Sequence, residues 1–266
     1  MRHCRTGAAR SDFALNLDVF WPLAALAAAP FVGSFIGLLT LRLPAGRPWI
    51  AARSACDGCH RRLGPLDLVP IVSFLASRGR CRTCHAPILA RYPLLELACL
   101  GLAIWSVLTQ AGAMALATAV LGWGLLAVAV IDAENLWLPD VLTLPLGLAG
   151  WALTVSLGLS TPLAPLIGAA AGYGALALVA LAYRTLRGRQ GLGDGDPFLL
   201  GAIGAWVGWQ GLPTVLLWAC GAGLATAAVI ALTRRRLDAG HPLPFGTFLA
   251  VGAWLTWLFG PLPGTA

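Results

Sequence analysis

The sequence predicts an all-α polytopic membrane protein with about eight transmembrane helices and a cysteine-bearing cytoplasmic loop domain between helices 1 and 2. Of its 266 residues, 58% are hydrophobic and only 11% charged, and the mean hydropathy is +0.79. Soluble domains average about 25% charged residues, so this composition excludes an ordinary soluble globule. Apolar windows of about 20 residues, the length that crosses a bilayer, recur along most of the chain.

Eight apolar segments account for the predicted transmembrane helices, and the sixth of them is short for a full span. In chain order we expect the helices at residues 20–41, 93–108, 114–131, 136–159, 163–183, 197–209, 212–233 and 244–259. Glycines within these segments, such as Gly168, Gly172 and Gly204, indicate close helix packing, with hinges as the less favoured alternative.

The distribution of arginine predicts the topology. All eighteen basic residues are arginine, and the formal net charge is +7. Arginines follow spans one, five and seven, whereas the alternate connections near Ala111, Ser160 and Gln210 contain none. By the positive-inside rule the arginine-bearing connections are cytoplasmic and both termini lie outside. The arginines concerned are Arg42, Arg47, Arg53, Arg61, Arg62, Arg78, Arg80, Arg82, Arg91, Arg184, Arg187, Arg189, Arg234, Arg235 and Arg236, opposed by Arg2, Arg5 and Arg10 in the amino-terminal tail.

This topology divides the chain into three predicted parts. Residues 1–42 hold the amino-terminal tail and helix 1, residues 43–92 the cytoplasmic loop domain, and residues 93–266 a transmembrane domain of about seven helices. The basic excess then reflects topology and contact with membrane lipid, so we expect no nucleic-acid partner.

Two CxxC motifs in the loop are the strongest local signal. Cys56 and Cys59 form the first, and Cys81 and Cys84 form the second after 21 intervening residues. Four thiolates at this spacing can surround one Zn²⁺ tetrahedrally, and a loop with little core gains folding energy from the metal. A redox-active CxxC pair is the alternative. The neighbours expected to favour thiolates, or to lie beside the site without binding the metal, are Arg61, Arg62, Arg82, His60 and His85.

Acidic residues at the membrane edge are the second chemical signal. Asp132 and Glu134 end the third span and Asp140 begins the fourth, while Asp194 and Asp196 precede the sixth. Both clusters lie on the same predicted face, so they can meet. Two carboxyls in one site share a proton and can act as general acid and general base. The alternative is helix capping, which suits Asp140 and Asp194.

Six motifs in order resemble those of the type IV prepilin peptidases, membrane aspartic proteases of pilus assembly and type II secretion. The resemblance covers nearly the whole chain after the tail. Its motifs are GSF at residues 33–35 with RLP at 42–44, GRCR at 79–82 within the paired CxxC loop, RYPLLEL at 91–97, ID at 131–132 with LPD at 138–140, GDGD at 193–196 with GAW at 204–206 and GW at 208–209, and PFG at 244–246.

The resemblance implies that Asp132 and Asp196 are the catalytic aspartates and that the four CxxC cysteines bind a structural zinc. It implies an inner-membrane enzyme, with its active site on the cytoplasmic side, that removes the short basic leader of prepilins or pseudopilins at a glycine. Glu134, Asp140 and Asp194 are candidates for contact with that leader. Many members then methylate the new amino terminus with S-adenosylmethionine.

The chain departs from the family pattern at three places. Gly37 replaces the usual asparagine, Leu41 replaces a frequent tyrosine, and Pro197-Phe198 replaces Phe-Lys. These departures bear most on methyl transfer, so a peptidase without methyltransferase activity is the first alternative; a non-enzymatic zinc-loop scaffold and a proton-relay transporter are more distant ones. Glu96 is expected to pair with an arginine of the loop, or else to serve methyl transfer.

Overall fold

The computed structural model describes residues 6–50, 54–188, 191–234 and 243–263, with the backbone alone described for residues 6–17 and 234. Within these ranges the chain is helical and contains no β-strand, which confirms the all-α prediction. Several of the arginines from which the topology was predicted lie outside the described residues. The assignment of the loops to the cytoplasmic side therefore stays a prediction. These arginines are Arg2, Arg5, Arg53, Arg189, Arg235 and Arg236, together with the side chains of Arg10 and Arg234.

Eight α-helices follow one another along the described chain, with a short 3₁₀ turn at Pro65–Asp67 in the loop. They are α1 (Thr6–Arg42), α2 (Val72–Ala76), α3 (Arg91–Thr109), α4 (Gly112–Asn135), α5 (Asp140–Ser156), α6 (Ala164–Arg187), α7 (Asp196–Arg234) and α8 (Phe245–Phe259).

Five of these helices are long and apolar enough to cross a membrane, which makes the chain a multi-pass membrane protein. They are Asp18–Arg42 of α1, together with α3, α4, α6 and α7, whereas α5 and α8 are apolar but shorter. The predicted sixth and seventh spans fall within α7, which is interrupted at Gly208 (φ 69°, ψ 173°). Left-handed φ values favour glycine, so the chain turns there between two helical stretches. The count of about eight spans stays a prediction.

The chain forms two compact units, Met1–Trp123 and Gly124–Ala266. In the first, α1 packs on α3. A Cβ on Gly33 would lie 2.5 Å from Cα of Glu96, so only glycine allows this approach. Trp123 Nε1 also donates to the carbonyl of Cys99 at 3.0 Å. The predicted boundaries of the three-part division remain predictions.

In the second unit, α7 packs against α5, α6 and α8. Gly168 of α6 and Gly204 of α7 meet backbone to backbone, with no room for a Cβ on either. This contact supports the packing interpretation of these glycines. Trp206 Nε1 donates to the carbonyl of Leu146 at 2.9 Å and joins α7 to α5. The rigid packing fixes the amino-terminal end of α7, where Asp196 lies.

Candidate active site and cysteine cluster

Two buried carboxyl groups lie at the ends of helices of the second unit. Asp132 is in the last turn of α4 and Asp196 is the first residue of α7. Their side chains belong to residues only 4% and 3% exposed, and the two carboxyls interact electrostatically. Burying charge is costly, so such pairs are retained where chemistry needs them. The structure therefore brings the two aspartates singled out in the sequence into one site.

The amino terminus of α8 holds Asp132 in place. The backbone N–H of Thr247 donates to Asp132 Oδ2 at 2.7 Å, and the Thr247 hydroxyl lies 3.2 Å from the same oxygen and 3.0 Å from the carbonyl of Ala129. The first N–H groups of a helix have no partner within the helix and carry partial positive charge. A Cβ on Gly246 would lie 3.0 Å from Asp132 Oδ2, so glycine leaves room for the carboxyl.

The loop before α7 holds Asp196. The backbone N–H of Gly193 donates to Asp196 Oδ2 at 3.0 Å. The other oxygen, Oδ1, is buried and accepts no hydrogen bond from any residue within the described ranges. A buried carboxyl oxygen of this kind can accept a hydrogen bond from water or substrate. The site thus has one anchored oxygen on each aspartate and an open acceptor on Asp196.

Gly195 brings this loop against the start of α5. A Cβ on Gly195 would lie 2.5 Å from Cβ of Leu138, which is itself buried. Any side chain at position 195 would push the loop away from Leu138 and move Asp196 with it. The glycine of this motif therefore serves close packing beside the carboxyl.

The remaining acids of the two clusters are exposed. Glu134, Asp140 and Asp194 all face solvent in the protein alone. Asp140 is the first residue of α5, whose N-cap is Pro139 without a side-chain capping bond, so its charge acts on the helix dipole. Asp194 lines a small cavity with Tyr173, next to the loop that carries Asp196. Arg184 lines the same cavity as Asp194.

Phe198 stands where the resembling family usually has lysine. Its ring packs edge-on against Tyr173, with 5.0 Å between ring centroids. The change replaces a cation with an aromatic contact between α6 and α7, two residues after Asp196.

The four CxxC cysteines of the first unit form a compact cluster. All four Sγ atoms lie within 4.8 Å of one another, and Cys56 Sγ is 3.7 Å from Cys84 Sγ. Tetrahedral ZnS₄ with bonds of about 2.3 Å has sulfur–sulfur edges of about 3.8 Å. The four thiols are free. The donor set and its spacing therefore fit a single thiolate-bound metal ion.

Two matching turns present the cysteines. In the first turn, the Cys56 N–H donates to the carbonyl of Arg61, and the His60 N–H donates to the carbonyl of Cys56. In the second turn, the Cys81 N–H donates to the carbonyl of Ala86, and the His85 N–H donates to the carbonyl of Cys81. The histidines close the turns in the left-handed region, at φ 55° and 58°. The cysteine cluster includes neither histidine.

Asp67 ties the two turns together. It accepts from Arg61 Nη2 at 2.8 Å and lies 3.4 Å from Arg82 Nε. The Gly64 N–H bond and both arginines hold the pKa of Asp67 below its usual value. The backbone N–H groups of Cys84 and Thr83 lower the pKa of Cys81 to about 6, which favours its thiolate form. Backbone donors, more than the flanking arginines, prepare this ligand.

Two other sequence expectations concern the α1–α3 pair. Glu96 is buried and accepts from the backbone N–H of Ile71 at 2.6 Å. Its expected pairing with an arginine of the loop stays a prediction. A Cβ on Gly37 would lie 2.8 Å from Cδ1 of Tyr92, which explains why glycine stands there. Leu41 is half-buried near the end of α1.

Thr247 is the site residue that sequence reasoning missed. It directly follows the PFG motif at residues 244–246, and its position in the first turn of α8 gives it a spare N–H. A hydroxyl residue at the start of an apolar helix was the available signal, but its partner Asp132 is 115 residues away.

Comparison with known proteins gives a consistent result. Residues 28–110 match the family model "Bacterial Peptidase A24 N-terminal domain", and residues 119–228 match "Type IV leader peptidase family". Relatives named "Prepilin leader peptidase/N-methyltransferase" are 40% identical over 90% of each chain in Burkholderia pseudomallei strain K96243, and 36% over 94% of each in Pseudomonas aeruginosa. One from Aeromonas hydrophila is 41% identical over 78% of this chain and 72% of its own. No solved structure matches.

The cysteine cluster predicts one bound metal ion per chain that depends on all four thiols. We expect Cys84→Ser to lower the metal content of the detergent-purified protein several-fold, because three thiolates no longer complete the tetrahedron. Cys220→Ser, at an exposed position of α7, is the matched control and should retain the metal. Elemental mass spectrometry measures the ratio of metal to protein. Equal metal in both variants would contradict the assignment.

Proposed function

The chain belongs to the type IV leader peptidase family, and from that premise we propose that it is an aspartic endopeptidase. Its substrates are type IV prepilins or type II secretion pseudopilins, and it removes their leader at the cytoplasmic face of the inner membrane. The observation that carries the mechanism is the pair of buried carboxyls, Asp132 and Asp196, with Asp196 Oδ1 accepting no hydrogen bond from the residues that the structure describes. Each is anchored by a backbone N–H, so neither needs reorganisation when substrate arrives.

The two aspartates act as one acid–base unit. The pair shares a proton, and a water between the carboxyls is activated when the ionised member takes its proton. The protonated member donates to the scissile carbonyl oxygen and stabilises the charge that develops there. Asp196 Oδ1 is the acceptor that faces this chemistry, because Oδ2 is already bound by Gly193.

The surroundings suit a substrate with an apolar stem and a basic leader. The aspartates lie at the ends of apolar helices, so a transmembrane stem can lie along the spans while the leader remains outside. The exposed carboxyls of Glu134, Asp140 and Asp194 attract the basic leader toward the site. Since these acids lie next to the pair in sequence, recognition and cleavage occur at one membrane edge.

The cysteine cluster holds a structural zinc in this proposal. Cys56, Cys59, Cys81 and Cys84 supply four thiolates, which close the coordination sphere and leave no open position for catalysis. The metal joins the two matching turns and stabilises a loop that lacks a core of its own.

A second activity, N-methylation of the new amino terminus, follows cleavage in this proposal, and the names of the relatives support it. S-adenosylmethionine supplies the methyl group when bound. Gly37 packs closely against the Tyr92 ring, so glycine at this position serves the contact between α1 and α3.

The acid pair predicts that Asp132→Asn and Asp196→Asn each lower leader removal by at least about 100-fold, the usual scale of general acid–base catalysis. Each amide keeps the shape of the carboxyl but cannot share its proton. Asp18→Asn, at the opposite end of the first candidate membrane span from Arg42, is the control and should cleave normally. The measurement is the amino-terminal sequence of a co-expressed prepilin at matched membrane levels of enzyme.

Full leader removal by either amide variant would overturn the mechanism. A non-enzymatic scaffold predicts that losing both aspartates leaves pilus or secretion assembly intact, and a transporter predicts altered proton flux with normal cleavage. The amino terminus of the prepilin separates the peptidase from the other two possibilities, and proton flux separates the transporter from the scaffold.

The Thr247 hydroxyl predicts a separate catalytic effect. Thr247→Val keeps the backbone N–H bond and the side-chain shape but loses the hydroxyl, which contacts Asp132 Oδ2 and the carbonyl of Ala129. Hydrogen bonds to charged groups contribute about 1.5–3 kcal/mol, so we expect a roughly tenfold or larger fall in kcat. KM should change little, and Thr247→Ser should restore the rate. Wild-type kcat in the valine variant would show that the hydroxyl plays no part.

Methylation has its own readout. Mass spectrometry of the processed pilin should find one methyl group on the new amino terminus when S-adenosylmethionine is supplied. A pilin that is cleaved but unmethylated under these conditions supports the peptidase-only alternative and leaves the acid pair unaffected.

A further inference from the structure

One apolar segment of the loop has no role in the metal cluster or the acid pair. Residues 66–76, of sequence LDLVPIVSFLA, lie between the two cysteine turns and contain a single charged residue, Asp67. Val72 and Leu75, three residues apart on α2, are 61% and 68% exposed, and Leu66 and Leu68 are also exposed. A concentration of exposed large apolar side chains marks a contact surface.

A hydrogen bond fastens this segment to the side of a transmembrane helix. Ile71, the residue before α2, donates its backbone N–H to Oε2 of Glu96 at 2.6 Å. Glu96 lies five residues after Arg91, where α3 begins, and a helix rises about 1.5 Å per residue. The anchor point is therefore about 7–8 Å along α3 from its end.

The partner helix places the anchor at a similar depth. Gly33 of α1 contacts the backbone of Glu96 and lies nine residues before the end of α1 at Arg42. Ile71 therefore lies beside the apolar parts of α1 and α3, inward from the ends of both helices. Because α3 has 19 residues, it only just crosses a hydrocarbon layer of about 30 Å, so a point several ångströms along it lies within or at the edge of that layer.

The local backbone is compatible with an apolar environment. A carboxyl at this depth needs a partner, and the Ile71 N–H supplies one. Pro70 has no N–H to leave unpaired, and α2 satisfies its later backbone donors internally. Ile71 itself has φ 61°, a conformation that β-branched residues avoid, so the anchor holds it against its own preference.

From this placement we propose that residues 66–76 are embedded in the membrane interface, with Leu66, Leu68, Val72 and Leu75 in contact with lipid acyl chains. The occupant of the apolar surface is the bilayer, because both ends of the loop continue into membrane-spanning helices. Residues 43–90 carry seven arginines against two aspartates, which complements anionic headgroups. The embedded segment holds the cysteine cluster at the membrane surface. The proposal does not depend on the peptidase activity.

Photo-crosslinking of the full-length protein in its native membrane tests the proposal. A benzophenone amino acid replaces Leu75, and separate proteins carry it at Leu97, an exposed side chain of span α3, or at Ala45, an exposed residue of the turn that follows α1. After illumination, mass spectrometry measures phospholipid adducts. We expect the yield at position 75 to match that at position 97 and to exceed that at position 45 several-fold.

The anchor is tested in the same assay by changing Glu96. Glu96→Ala removes the acceptor for the Ile71 N–H and should lower the lipid adduct at position 75 several-fold, whereas Glu96→Gln keeps an acceptor oxygen and should preserve it. A yield at position 75 as low as at position 45, or adducts with protein in place of lipid, would overturn the proposal. An unchanged yield in Glu96→Ala would overturn the anchor. If that variant fails to accumulate, the comparison of positions 75, 97 and 45 still decides.

Discussion

The hydrogen bond from the start of α8 to Asp132 is the contact on which the site depends. Burying an aspartate at the end of a membrane helix is costly, and the Thr247 N–H offsets that cost with a donor that has no other partner. Because the bond spans 115 residues, it forms only when α4 and α8 are packed together. The loop before α7 does the same for Asp196 through Gly193. The geometry of the two aspartates thus depends on backbone N–H groups that bind their carboxyls, one in the loop before α7 and one at the start of α8.

Glycine makes these approaches possible. Gly246 leaves room for the Asp132 carboxyl, Gly195 lets its loop lie on Leu138, and Gly33 lets α1 reach the backbone of Glu96. In lipid there is little hydrophobic gain from bringing helices together, so close backbone contact and hydrogen bonding supply the association. These glycines therefore allow the close packing in which the buried carboxyl groups reach their backbone N–H donors.

The loop follows a different logic, because it has almost no apolar core of its own. Its two turns meet through four sulfur atoms and through Asp67, which binds Arg61 and lies beside Arg82. The apolar residues that a soluble domain would bury are instead exposed between the turns. In the arrangement that we propose, a metal ion and a membrane surface together provide the stabilisation that a hydrophobic core provides in a soluble domain.

Composition, hydropathy and motif spacing by themselves determined the all-α membrane architecture and the four clustered cysteines, because apolar length and CxxC spacing are local properties. They also singled out Asp132 and Asp196, although not how either is held. Tertiary structure decided the rest: the backbone partner of Glu96 and the part played by Thr247. These are contacts between residues distant in sequence, and their partners are backbone N–H groups, which every residue except proline carries and no sequence pattern distinguishes.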